Sequence, residues 1–142
     1  MIRPYRSSDS EAVLTLWLEA SIQAHDFVAE EFWHAQLPAM REHYLPQAET
    51  WVLEENGQAL AFMSLHGARL AALFVSPHAQ GRGLGRQLLD EAKRRRDSLE
   101  LGVYCANHRA MAFYRANDFL AVAETRDPHT GQPELTMRWS RA

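Results

Sequence analysis

Cysteine is almost absent: Cys105 is the only one in 142 residues, so no disulfide can form within the chain. That usage fits a reducing compartment, and a cytoplasmic location is expected. Long apolar runs are missing too. The longest, around Leu70 to Val75, is far short of the roughly 20 residues a membrane-spanning helix needs. The start, Met1-Ile2-Arg3-Pro4-Tyr5, has no apolar stretch of the kind a secretory leader carries. Positive charge is not in excess: 15 Lys and Arg against 18 Asp and Glu give a formal net charge of −3 with His neutral. A chain so balanced has no global field to hold nucleic acid. Its one basic run, Lys93-Arg94-Arg95-Arg96, reads as the solvated end of a helix, where cations complement the dipole. Seven histidines are present but none at H-x-x-x-H or H-E-x-x-H spacing, so no metal site is expected. No repeat, linker or low-complexity tract divides residues 1–142, which read as a single domain.

What is there alternates between short strand and helix patterns. Ile2 to Tyr5 reads as a strand, and Ser8-Asp9-Ser10-Glu11 has the form of a capping box ahead of a helix with Val13, Leu16, Trp17 and Ala20 at helical spacing. A second helical stretch covers about Glu30 to Tyr44, with Pro38 expected to kink or split it. Trp51–Glu54 and Ala59–Leu65 flank Asn56-Gly57, a strong hairpin signal, and His66-Gly67 leads to a third strand over Leu70–Val75. A helix from about Arg82 to Arg95 follows, then a strand over Leu99–Cys105 and a helix over Asn107–Asn117. Two last strands, Leu120–Thr125 and Glu134–Trp139, are separated by a turn-rich segment. The order β-α-α-β-β-β-α-β-α-β-β predicts an α+β (mixed α/β) layer fold around one central sheet.

The chemistry is concentrated in Leu73-Phe74-Val75-Ser76-Pro77-His78-Ala79-Gln80-Gly81-Arg82-Gly83-Leu84-Gly85-Arg86. A strand enters a loop with glycines at 81, 83 and 85, and the loop opens a helix. Helix N-termini present unpaired amides and partial positive charge, which suit phosphate oxygens, and glycine lets backbone come close to an anion. Arg82 and Arg86 add positive charge. Without a ligand the same segment is a glycine-rich tight turn. The Walker pattern fails because Arg86-Gln87 follows Gly85, and the dinucleotide pattern lacks its third glycine.

Gln80-Gly81-Arg82-Gly83-Leu84-Gly85 fits the Q/R-x-x-G-x-G/A pattern, and with it the chain resembles the GNAT superfamily of N-acetyltransferases over nearly its whole length. A second block, Val103-Tyr104-Cys105-Ala106-Asn107 through Ala110, Phe113 and Tyr114 to Phe119, looks like that family's later strand–helix unit. His25-Asp26-Phe27 is similar to small bacterial members, some of which acetylate protein lysines. The resemblance implies a strongly twisted mixed sheet of about seven strands flanked by about four helices. It also implies acetyl-CoA as co-substrate and an amine acceptor, on a small molecule or a protein lysine, in a monomer or homodimer.

Carried residue by residue, the resemblance assigns the backbone of Phe74 and Val75 to the pantetheine arm and the amides from Gln80 to Arg86 to the pyrophosphate. Tyr114 matches the tyrosine that protonates the departing thiolate, although an inward aromatic beside Phe113 is the other reading. Asn107 matches a pantetheine contact and is equally a good N-cap. Asp118 replaces the family's usual glycine, and a left-handed cap is expected there. No Glu, Asp or His lies between Leu70 and Val75, where many relatives carry a base. The remaining candidates are His25, His66 and Glu100, with His25 placed best; Asp26 either attracts a cation or forms a turn. Trp33, Phe32 and Tyr44 belong to the acceptor pocket or to the core, and Cys105 reads as packing rather than a nucleophile. The competing function is an acyl-CoA sensor without turnover.

Overall fold

Asn56 and Gly57 set the first pairing. Both take positive φ, 53° and 77°, as a two-residue hairpin turn requires, and they join β2 (Glu49–Glu55) to β3 (Gln58–His66) with Glu55 opposite Gln58. Gly67, at φ 60°, turns β3 into β4 (Arg69–Val75). With β1 (Ile2–Pro4), β5 (Ser98–Tyr104), β6 (Leu120–Arg126) and β7 (Pro133–Ser140), these strands make one sheet in the order β1-β2-β3-β4-β5-β7-β6. The computed structural model describes residues 1–141.

Helices α1 (Ser10–Ala24) and α2 (Glu30–Ala39) cover one face of the sheet, α4 (Leu84–Arg95) and α5 (His108–Ala116) the other. Strand β3 therefore has no wet face. Ala61, Met63 and Leu65 join the cluster of Leu88, Leu89 and Phe119, while Phe62 joins that of Val13, Trp17 and Trp33. A strand buried on both sides reads as a continuous apolar run, as this one does. Its single buried polar member, Ser64, is matched by the Thr50 hydroxyl at 2.8 Å.

One local expectation changes and one holds. The helix start lies at Asp9, not at a Ser8–Glu11 box: Asp9 accepts from the Arg6 amide at 2.8 Å and takes both arms of the Arg3 guanidinium at 2.8 Å. A carboxylate fork to arginine outcompetes a serine hydroxyl, and it holds the Asp9 carboxyl at about 2. Pro38 splits its helical stretch without ending it, as expected. Having no N–H, it interrupts the ladder, and the chain continues as a π-turn over Met40–Tyr44 and a last turn, α3 (Leu45–Gln47).

One irregularity shapes everything functional. Strands β4 and β5 are parallel and share only the pair Arg69↔Glu100. Against β3, Leu65 faces Leu70 and Ser64 faces Ala72, so Ala71 is an extra residue on β4. A bulge bends and twists its strand. Beyond it β4 and β5 part company, and a cleft opens between them.

Candidate active site

The cleft encloses about 840 Å³. Its walls are β4 from Leu70 to Val75, the loop and first turn of α4, β5 from Leu101 to Tyr104, and the start of α5. The end of α1, with Gln23 and His25, closes it above.

The geometry of the glycine loop suits an anion. Gly81 and Gly83 have φ of 80° and 77°, which L side chains rarely adopt, and open space lies where their Cβ atoms would be. The first ladder bond of α4 runs from Gln87 N to Gly83 O at 3.1 Å. The amides of Leu84, Gly85 and Arg86 therefore lie ahead of the ladder, and among the described residues they have no backbone partner. A diphosphate fits such a row of donors. The Arg86 guanidinium makes no hydrogen bond among the described residues and lines the cleft. Arg82 behaves differently: its side chain reaches Glu55 at 2.7 Å and does not line the cleft. Any part it plays in holding an anion is left to its amide. Arg109, on α5, is a cation the sequence pattern did not single out; it lines the cleft and touches Gln80 at 3.4 Å.

Tyr114 lies 9% exposed in the cleft wall, packed edge-on against Phe113 and Phe119. Burial pushes its phenol well above the ordinary value, so it holds its proton at neutral pH. The end of α5 orients it. Asp118 takes φ 73°, Phe119 N bonds Tyr114 O at 3.0 Å, and Asp118 N bonds Arg115 O at 3.2 Å. This is a Schellman closure with aspartate in the left-handed position, as expected.

His25 caps α1, its amide donating to Ser21 O at 2.9 Å. The ring sits among Trp33, Tyr104 and Phe27, with centroids 5.0, 5.2 and 5.7 Å away. Burial lowers its pKa to about 4, opposed only weakly by the Ser21 carbonyl, so the imidazole is neutral. Its Nε2 lies 3.4 Å from Asn107 Nδ2. Asn107 Oδ1 accepts from Ala110 N at 3.2 Å and so caps α5; the amide's donor end must face the imidazole. Nε2 then accepts, and the ring proton resides on Nδ1, which is buried on the side of the Ser21 carbonyl without a hydrogen bond of normal geometry.

Of the other candidates, Glu100 is paired with Arg138 at 2.7 Å and His66 is exposed at the end of β3. Neither lines the cleft, and nor do Asp26, Phe32 or Tyr44; Trp33 does. The residue missed by the sequence reading is Glu134. It lines the cleft from β7, opposite Tyr104 in register. Burial, then the nearby Asp127 carboxylate, raise its pKa, and Arg69 lowers it. The available signal was pairing, since β7 zips against β5, but the register was not readable from the chain.

Comparison with known proteins agrees with this arrangement. The family model described as acetyltransferase (GNAT) domain matches residues 46–120. The peptidyl-lysine N-acetyltransferase YiaC of Escherichia coli is 39% identical over 140 residues, covering 98% of this chain and 96% of that protein. The peptidyl-lysine N-acetyltransferase YjaB of the same species is 30% identical, over 93% and 90%. The solution structure of apo YjaB superposes with a TM-score of 0.86 at 29% identity, over 100% and 98%. PaiA N-acetyltransferase from Thermoplasma acidophilum, solved with coenzyme A, shares the fold at a TM-score of 0.84 and 19% identity, over 99% and 98%. The chain thus belongs to the GNAT family and is an acetyl-CoA-dependent N-acetyltransferase.

Proposed function

We propose that residues 1–142 act as one unit that moves the acetyl group of acetyl-CoA directly onto a lysine side chain of a protein, with both substrates bound together. The observation that carries this reading is the divergence of β4 from β5 after Arg69↔Glu100. It leaves the β4 edge at Phe74 and Val75 without a β5 partner, and that edge leads straight to the unpaired amides of α4. An extended pantetheine arm can pair with the strand as β4 would with a neighbour, while the amides and Arg86 hold the diphosphate. The Val75 N–H, turned away from β3, is placed to stabilise the oxyanion that forms on the thioester carbonyl.

Tyr114 supplies the proton for the departing sulfur. A thiolate of pKa roughly 8.5 gains it readily from a phenol. His25 serves position rather than proton transfer: a ring held near 4, with Nε2 already accepting from Asn107, is a poor base for an ammonium. Lysine as acceptor is supported by the two E. coli relatives, whose names specify peptidyl-lysine, and by the acidic side chain of Glu134 in the cleft wall.

The test is free-thiol release from acetyl-CoA with an N-acetylated Ala-Lys-Ala peptide amide, followed by mass analysis of the peptide. Acceptor-dependent thiol and a lysine heavier by one acetyl group are expected. Tight coenzyme binding without acceptor-dependent release would instead mark an acyl-CoA sensor.

A further inference from the structure

Strand β5 sends its side chains alternately to the two faces of the sheet. Leu101 and Val103 pack in the cluster that contains Tyr114, whereas Tyr104 packs in the cluster of α1 and α2. Directly paired residues of antiparallel strands share a face, so Glu134, opposite Tyr104, lies on the α1–α2 side. Tyr114 and Glu134 thus line the same cleft from opposite faces.

The Glu134 carboxylate hangs over Gly102. A Cβ at that glycine would stand 3.1 Å from Glu134 Oε2 and 3.3 Å from Arg69 Nη2. A larger residue at 102 would push both groups away, so the missing side chain makes room for the carboxylate. Glu134 is half-buried, yet among the described residues its carboxylate accepts no hydrogen bond and makes no ion pair. Two of the polar groups around it are engaged elsewhere, while the Arg69 guanidinium stands near it without closing an ion pair. The Tyr104 hydroxyl donates to Asp127 at 2.5 Å, and Cys105 Sγ donates to Glu124 at 3.7 Å. A desolvated carboxylate without a partner is costly unless something cationic comes to it.

We propose that Glu134 is the general base, taking the proton from the acceptor ammonium; this rests on the transferase reading above. The carboxylate removes one proton from the ammonium, leaving a neutral amine on the α1–α2 side of the cleft. The amine nitrogen forms a bond to the thioester carbonyl carbon, the C–S bond breaks with its electron pair on sulfur, and Tyr114 gives sulfur its proton from the other face. The second proton on nitrogen restores Tyr114 through solvent, and Glu134 releases its own to solvent. The charged and titratable groups facing Glu134 are Asp127, Tyr104 and Cys105, with Arg69 from β4. Burial and Asp127 together outweigh Arg69, and a carboxylate with raised proton affinity is better matched to an ammonium.

The experiment compares wild type, E134Q and E134D with acetyl-CoA and the Ala-Lys-Ala peptide between pH 6 and 10. For E134Q, kcat at pH 7 falls about 10²-fold while coenzyme affinity and melting temperature stay close to wild type. The deficit shrinks as pH approaches 10, because solvent then deprotonates the amine. E134D, keeping the charge on a shorter arm, retains the wild-type pH profile at lower kcat. An E134Q enzyme with wild-type kcat and pH profile, or one that loses only KM, overturns the assignment, as does an E134D profile matching E134Q. A wild type without acceptor-dependent release overturns the transferase reading itself.

Discussion

Asn107 holds His25 and caps α5 with the two ends of one amide: Oδ1 accepts from Ala110 N at 3.2 Å, and Nδ2 faces His25 Nε2 at 3.4 Å. The expected consequence of N107D is selective. A carboxylate still caps the helix, so stability changes little, but it now offers an acceptor to the imidazole. The His25 pKa should climb from about 4 toward or above its ordinary 6.5. Nitrogen chemical shifts of the ring across pH 4 to 8 read both the tautomer and the midpoint, and an unmoved midpoint overturns the contact.

Stability should carry the signature of His25. Its folded pKa, about 4, is below the ordinary 6.5, so the unfolded chain binds the extra proton first. The contribution is fully present above pH 6.5 and is lost as pH falls through 4. At 1.36 kcal/mol per pKa unit it amounts to about 3 kcal/mol at most. Urea melts of wild type and H25L at pH 7 and pH 4 should show a smaller acid loss in the variant.

Tyr114 tests the acid. Y114F removes one hydroxyl from a packed ring, so coenzyme affinity and fold should be retained while kcat falls by roughly 10² or more. Calorimetric titration with CoA beside single-turnover rates separates the two. Unchanged turnover removes Tyr114 from the chemistry.

Gly83 tests the glycine loop. At φ 77° any side chain is strained, and a carboxylate there faces the position proposed for the diphosphate. G83E should abolish CoA binding measured by calorimetry, whereas an exposed control change such as Leu120→Ala should not.

Asp118 is a correctable strain. It holds φ 73° where glycine has no Cβ penalty, so D118G should stabilise the protein by about 1 kcal/mol, raising Tm by a few degrees. A lower Tm would show that the carboxylate makes a contact more valuable than the strain it costs.

Local chemistry made much of this protein legible in its sequence. Asn56-Gly57 dictates a hairpin because few other pairs accept two positive φ angles, and the glycines at 81 and 83 announce a left-handed loop before a helix for the same reason. The periodicity of Leu84, Leu88, Leu89 and Ala92 determines which side of α4 is buried, and Asn107 declares a helix start. Such features depend on neighbours a few residues away, so sequence alone determined them, and with them the family. Only tertiary structure decided the rest. That Arg82 turns to Glu55, that Asp9 rather than Ser8 starts α1, that His25 loses its basicity among Trp33, Tyr104 and Phe27, and that Glu134 hangs over Gly102 all depend on pairings between distant segments. Burial and register set both the proton affinity and the reach of a side chain, and neither quantity exists until the strands have paired.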